Sequence, residues 1–258
     1  MNKLLALAMI LFLSSKAMGA VKTQTVEYKD GETVLEGYLA YDDSLPGGRP
    51  GVLVVHEWTG LGTYVKMRCE KLARLGYVAF GADIYGKGVR PATPDAAGAE
   101  AGKFEGDRPL LRRRANAALN ILRQNPLVDT TRVAAIGYCF GGGTALELAR
   151  SGAPLAGVVS FHGFLDTPTP DDAKNIKGKV LVLRGADDPY VPAKDIAALE
   201  DEMRKAGVDW QEMAFGGAVH SFTNPEAGND NSKGAAYNES ADRRSWEAMK
   251  TFFAEIFK

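Results

Sequence analysis

Gly137-Tyr138-Cys139-Phe140-Gly141-Gly142-Gly143 is the stretch that decides the fold. An apolar, β-rich run from Thr131 to Gly137 leads into it, and a helical pattern from Gly141 to Arg150 leads out. A reactive side chain framed by glycines between a strand and a helix is the context of a nucleophile elbow, where the central residue takes a strained backbone and small neighbours relieve the crowding. The thiol is then held at a helix N-terminus, where backbone N–H groups and the helix dipole favour a thiolate and any oxyanion beside it. Glycine-rich turns of this kind also bind phosphate, but the run lacks both the Lys-Ser/Thr ending of a P-loop and the spacing of a dinucleotide fingerprint.

The strand-to-helix alternation continues on both sides. Thr23 to Lys29 and Thr33 to Tyr41 alternate and are joined at Asp30-Gly31, the pattern of an antiparallel hairpin. Gly51 to His56, Tyr77 to Asp83, Leu155 to Ser160, Val180 to Arg184 and Gln211 to Phe215 are short apolar runs. Helical stretches separate them, at Tyr64 to Leu75, Arg108 to Arg123, Lys194 to Lys205 and Ala241 to Phe257. This predicts one α/β domain over residues 21–258, a mostly parallel central sheet with helices on both faces. The segment Gly86 to Phe104, rich in Gly, Ala and Pro, reads as a loop with a short helix beside the site, either a lid or a passive connection.

In such a sheet ligands bind beyond the carboxyl ends of the strands. Those ends deliver His56-Glu57-Trp58, Asp83 with Tyr85, Cys139, His162, Asp187-Asp188 and His220. A cysteine nucleophile needs a base and a group that orients the base, in the chain order nucleophile, acid, histidine. Asp188 and His220 fall where that order requires. Asp187 competes with Asp188 for the acid's place, and the spacing to Pro189 and Pro192 favours Asp188. His56 and His162 precede the acid and read as pocket lining.

Composition narrows the partners. The 258 residues are 45% hydrophobic and 24% charged with a formal net charge of −1, so nothing argues for nucleic acid or an anionic membrane surface. Arg112-Arg113-Arg114 reads as a solvated helix face. Lys3, the apolar run Leu4 to Leu13 and small residues up to Ala20 read as a cleavable secretory signal over residues 1–20, too short for a membrane anchor. Export implies an oxidising compartment, the periplasm or the medium. Cys69 then reads as a buried structural thiol, with a Cys69–Cys139 bridge as its alternative.

His56-Glu57-Trp58-Thr59-Gly60-Leu61, Asp83-Ile84-Tyr85-Gly86, Gly137 to Gly142, Asp188-Pro189-Tyr190-Val191-Pro192 and His220-Ser221-Phe222 together resemble the dienelactone hydrolase family of the α/β-hydrolase superfamily. The resemblance runs from about Val26 to the end. It implies hydrolysis of an ester or lactone through an acyl-enzyme, with Cys139 as nucleophile, Asp188 as acid and His220 as base. It further implies that Glu57 contacts the resting cysteine and helps activate it, and that the amides of Phe140 and Trp58 form the oxyanion hole. Lys87 and Asn224 stand where the dienelactone-cleaving members carry two arginines that hold the substrate carboxylate. A lysine and a neutral amide weaken bidentate recognition of a carboxylate, which points away from dienelactone itself. Tyr85 and His162 complete the expected substrate-binding set, and no cofactor or metal is expected. Two other classes fit less of the sequence: a non-catalytic small-molecule binding protein on the same fold, and a periplasmic thiol-redox protein, which would lack a Cys-x-x-Cys pair.

Overall fold

The computed structural model describes residues 20–258; the secretory signal expected over residues 1–20 lies outside them apart from Ala20. In chain order the elements are β1 (Val21–Asp30), β2 (Thr33–Asp42), β3 (Arg49–Val55), α1 (Thr63–Arg74), β4 (Val78–Ala82), α2 (Pro94–Glu105), α3 (Arg108–Gln124), β5 (Val128–Tyr138), α4 (Phe140–Arg150), β6 (Gly157–Phe161), β7 (Lys179–Gly185), α5 (Ala193–Ala206), β8 (Trp210–Phe215) and α6 (Glu239–Ile256). The strands form one sheet in the order β1-β2-β4-β3-β5-β6-β7-β8. β1 and β2 pair antiparallel, β2 also runs antiparallel to β4, and the remaining pairs are parallel. The hairpin pairs Asp30 with Thr33, so its turn is Gly31-Glu32, one residue later than the sequence suggests, with Gly31 at φ 58°.

Every residue of β4 and β6 is buried, as a strand covered on both faces must be. Successive side chains feed opposite cores. Leu53, Val55 and Ala135 pack under α2 to α5, while Val52, Val54, Ala134 and Ile136 pack under α1 and α6. β3 is followed in space by β4 on one side and β5 on the other, so the crossovers reverse direction there and leave a crevice between the ends of β3 and β5. Val55 pairs with Gly137 across that crevice, which sets Glu57 and Trp58 beside Tyr138 and Cys139.

One local expectation is met and sharpened, and another is corrected. The segment after Gly86 holds a twelve-residue helix, α2: Thr93 caps it by accepting from the Ala96 amide at 3.3 Å, and Pro94 and Asp95 occupy its first turn. Gly98 and Gly102 lie inside it, and the burial of Ala97, Ala101 and Phe104 offsets their cost of about 1 kcal/mol each. The arginine run, read as a solvated face, is solvated mainly at Arg113. Arg114 is buried, and Arg112 bonds Glu147 at 2.8 Å and Asp172 at 2.6 Å, joining a network in which fully buried Arg150 holds Glu147 and Glu202.

Candidate active site

Cys139 joins β5 to α4 with φ 56° and ψ −120°, a conformation that L side chains rarely adopt. Its neighbours permit the turn: a Cβ on Gly137 would collide with the Gly141 carbonyl, and one on Gly141 with the carbonyls of Val55 and His56. The Cys139 amide is held at two points, by the Phe161 carbonyl at 3.0 Å and by His162 Nδ1 at 3.1 Å. Phe140, the first residue of α4, has an amide without an intrahelical acceptor, which is the usual state of a helix start.

His220 lies in the loop after β8 and receives one carboxylate. Its Nδ1 is 2.9 Å from Asp188 Oδ2, and Asp188 Oδ1 accepts from the Tyr190 amide at 2.9 Å. Asp187 is exposed and accepts instead from the Gly217 amide at 3.1 Å, so the pairing with the histidine belongs to Asp188. Burial alone would lower the His220 pKa. The charge of Cys139, together with the hydrogen bonds to Asp188 and Cys139, outweighs that and raises it well above the usual histidine range.

Glu57 is buried, and its carboxyl accepts from Asn224 Nδ2 at 2.9 Å. Burial pushes its pKa up to about 7, with the Asn224 bond and the charge of His220 opposing the rise. The strand-end residues beside it act as braces. His56 Nε2 accepts from the Ile84 amide at 3.2 Å, so its Nδ1 donates to the Glu57 carbonyl at 2.6 Å, and burial lowers its pKa to about 4. Tyr85 donates its hydroxyl to the Trp58 carbonyl at 2.9 Å while its ring packs on His56, Phe104 and Phe140. Asp83, fully buried, accepts from the amides of Glu36, Tyr85 and Gly86 and anchors the same loops.

A cleft of about 690 Å³ opens over these groups, and Glu57, Trp58, Cys139, Phe140, His220 and Asn224 line it. Three residues expected to bind substrate are elsewhere. Lys87 sits on the surface, its amide bound to the Val34 carbonyl of the hairpin and its ammonium paired with Glu27 of β1. Tyr85 and His162 stand behind the wall. His162 is fully buried and kept well below the usual histidine pKa by burial and by the neighbouring His220. Because its Nδ1 accepts from Cys139, its Nε2 carries the proton and donates to Thr223 Oγ1 at 2.7 Å. The two cysteines are free: Cys69 is buried on α1, and Cys139 opens onto the cleft.

Sequence reasoning missed the support of the histidine loop. Thr223 also meets the Tyr64 hydroxyl at 2.6 Å, and its carbonyl accepts from Arg68 Nη2 at 2.6 Å. Arg68, with 1% of its surface exposed, bonds Asp242 at 2.6 Å and lies over the rings of Tyr64, Tyr138 and Trp246. One strut therefore links the elbow, the histidine loop, α1 and α6. The one local hint was that Thr223 lies three residues after His220.

With this geometry in place, comparison with known proteins identifies the lineage. The profile of the dienelactone hydrolase family matches residues 35–257. A solved structure named m3DLH is 44% identical, with a TM-score of 0.90 over 93% of this chain and 100% of its own. The crystal structure of a dienelactone hydrolase-like promiscuous phosphotriesterase from metagenomic libraries is also 44% identical, with a TM-score of 0.88 over the same shares. A Bradyrhizobium protein named "Probable 2-oxo-3-(5-oxofuran-2-ylidene)propanoate lactonase" is 28% identical over 215 residues, 79% of this chain and 86% of the relative. The chain belongs to the dienelactone hydrolase family.

Proposed function

We propose that the protein hydrolyses a carboxylic ester or lactone by covalent catalysis at Cys139, with His220 as base and Asp188 as the group that orients it. The observation that carries this reading is the convergence of a positive-φ cysteine at a helix start with a histidine bonded to a buried carboxylate, all beside one cleft. Family membership makes the chain a hydrolase, and the lactonase name of one relative agrees in reaction class.

In the first half of the reaction the Cys139 thiolate attacks the substrate carbonyl. The amides of Phe140 and Trp58 receive the oxyanion, and the alcohol leaves with a proton from His220. His220 then takes a proton from water as the water attacks the thioester, which frees the acid and restores the thiol. Asp188 fixes the ring so that Nε2 faces the sulfur. Glu57, held by Asn224 and with a pKa of about 7, adds a second group able to exchange a proton beside Cys139. A panel of chromogenic esters and lactones assayed with wild type, Cys139→Ala and Asp188→Asn tests the reading. Turnover by wild type and loss of at least ~10³-fold in Cys139→Ala supports it. Equal rates would place the chemistry elsewhere. Export with cleavage of the N-terminal signal is part of the same proposal, and protein that stays in the cytoplasm and still begins at Met1 would refute it.

A further inference from the structure

Acidic groups outnumber basic ones on the cleft lining, where the basic side chain, His220, is already bonded to Asp188. Glu57, Glu105 and Glu226 line the cleft, and neither a lysine nor an arginine does. Glu105 is the last residue of α2, Glu226 follows the histidine loop, and both are exposed. The cations behind the walls are held by other groups, although Nε and Nη1 of Arg108 have no hydrogen-bond partner and the Phe164 ring stands between them and the cleft. Arg68 is screened by the Tyr64 ring and paired with Asp242, and Arg108 lies 4.3 Å from the Phe164 ring centroid and is paired with Asp166 at 3.0 Å. Arg90 donates through Nε and Nη1 to the carbonyls of Leu61 and Val89, and Lys87 is held by Glu27 outside the cleft. Between the charged rim and Cys139 the walls are Trp58, Tyr64, Val65, Phe140, Phe164 and Val191.

We infer that this site takes esters with no anionic group, carrying a sizeable apolar acyl or alcohol part, and that Glu105 and Glu226 enforce the exclusion of acids. This rests on the reading of the cleft as an ester-hydrolysing site. A carboxylate entering it meets like charges at the rim and an apolar wall beyond, with no lysine or arginine on the lining to receive it. An uncharged chain of the same length loses nothing at the rim and buries apolar surface on the aromatic wall. Asn224 sharpens the contrast: its amide is spent on Glu57, so the position adds no charge of its own.

The test uses three nitrophenyl esters of one chain length: the hexanoate, the adipate with a free terminal carboxylate, and the adipate capped as its methyl ester. Steady-state kinetics at low salt compare wild type with the double variant Glu105→Gln, Glu226→Gln. Wild type is expected to turn over the hexanoate and the capped adipate with similar kcat/KM and the free adipate at least about tenfold less well, mainly through KM. The double variant is expected to narrow that ratio severalfold. Equal kcat/KM for free and capped adipate overturns the inference while leaving the ester-hydrolase reading intact. Discrimination unchanged in the double variant overturns the role of the two glutamates. No turnover of any of the three, with the protein folded, overturns the hydrolase reading and this inference with it.

Discussion

Cys69 sits in the middle of α1 with no exposed surface, packed among aliphatic side chains, and burial drives its thiol far above the usual range. Cys139 sits seventy residues on, at the start of α4, with a left-handed backbone, a helix N-terminus beneath it and His220 beside it. The side chains are identical. Backbone position alone puts one thiol in a low-dielectric core that suppresses ionisation and the other at a helix start facing His220 and the cleft. The strain follows the same division: Cys139, His162 and Ser221 are the non-glycine residues with positive φ among the described residues, and all belong to the elbow or the loops that serve it.

The most forceful way to break this contrast is to take away what makes Cys139 different. His220→Ala removes its proton acceptor and is expected to lower kcat/KM for a good ester by ~10²–10⁴-fold. A loss below tenfold, measured by steady-state kinetics, would mean that the helix start and Glu57 activate the thiol unaided. Glu57 gives the next effect. Its unfolded carboxyl loses its proton near pH 4.5 and its folded one near pH 7, so its contribution to stability is full below the first value and is lost as pH rises through the second. Glu57→Gln is therefore expected to gain on wild type by up to about 3 kcal/mol between pH 4.5 and 8, read from denaturant melts across that range. A constant difference between the two proteins would contradict the buried-acid account.

Thr223→Val tests the strut that ties the elbow to the histidine loop. Losing one hydroxyl between His162 and Tyr64 is expected to lower kcat about tenfold with KM nearly unchanged. A purely structural role would instead appear as a lower Tm with kcat intact. The smallest effect belongs to the other cysteine. Cys69→Ala is expected to cost about 1 kcal/mol of stability through the cavity it leaves, with ester turnover retained.

Much of this arrangement was legible in the sequence because it is local or periodic. Glycine framing of Cys139, apolar runs of strand length and the order of acid and histidine all survive in a one-dimensional reading. α2 was expected as a short helix without stated ends, although the Thr93-Pro94-Asp95 start is a sound helix signal. Other features depend on contacts between distant residues. Arg68 reaches Thr223 and Asp242 across 155 and 174 residues, and no spacing rule joins them. Lys87 matched a family position in register, yet the hairpin sets Glu27 against it and holds it on the surface. The acidic rim likewise exists only once the fold brings the end of α2 and the histidine loop to one cleft.

The central claim is that chemistry belongs to one thiol and not the other. Its most direct test is to titrate the native protein with iodoacetamide, following residual ester hydrolysis against the modification of each cysteine by peptide mass spectrometry. The account predicts that activity falls in proportion to alkylation of Cys139 while Cys69 stays unmodified. Retained activity with Cys139 fully alkylated would contradict it.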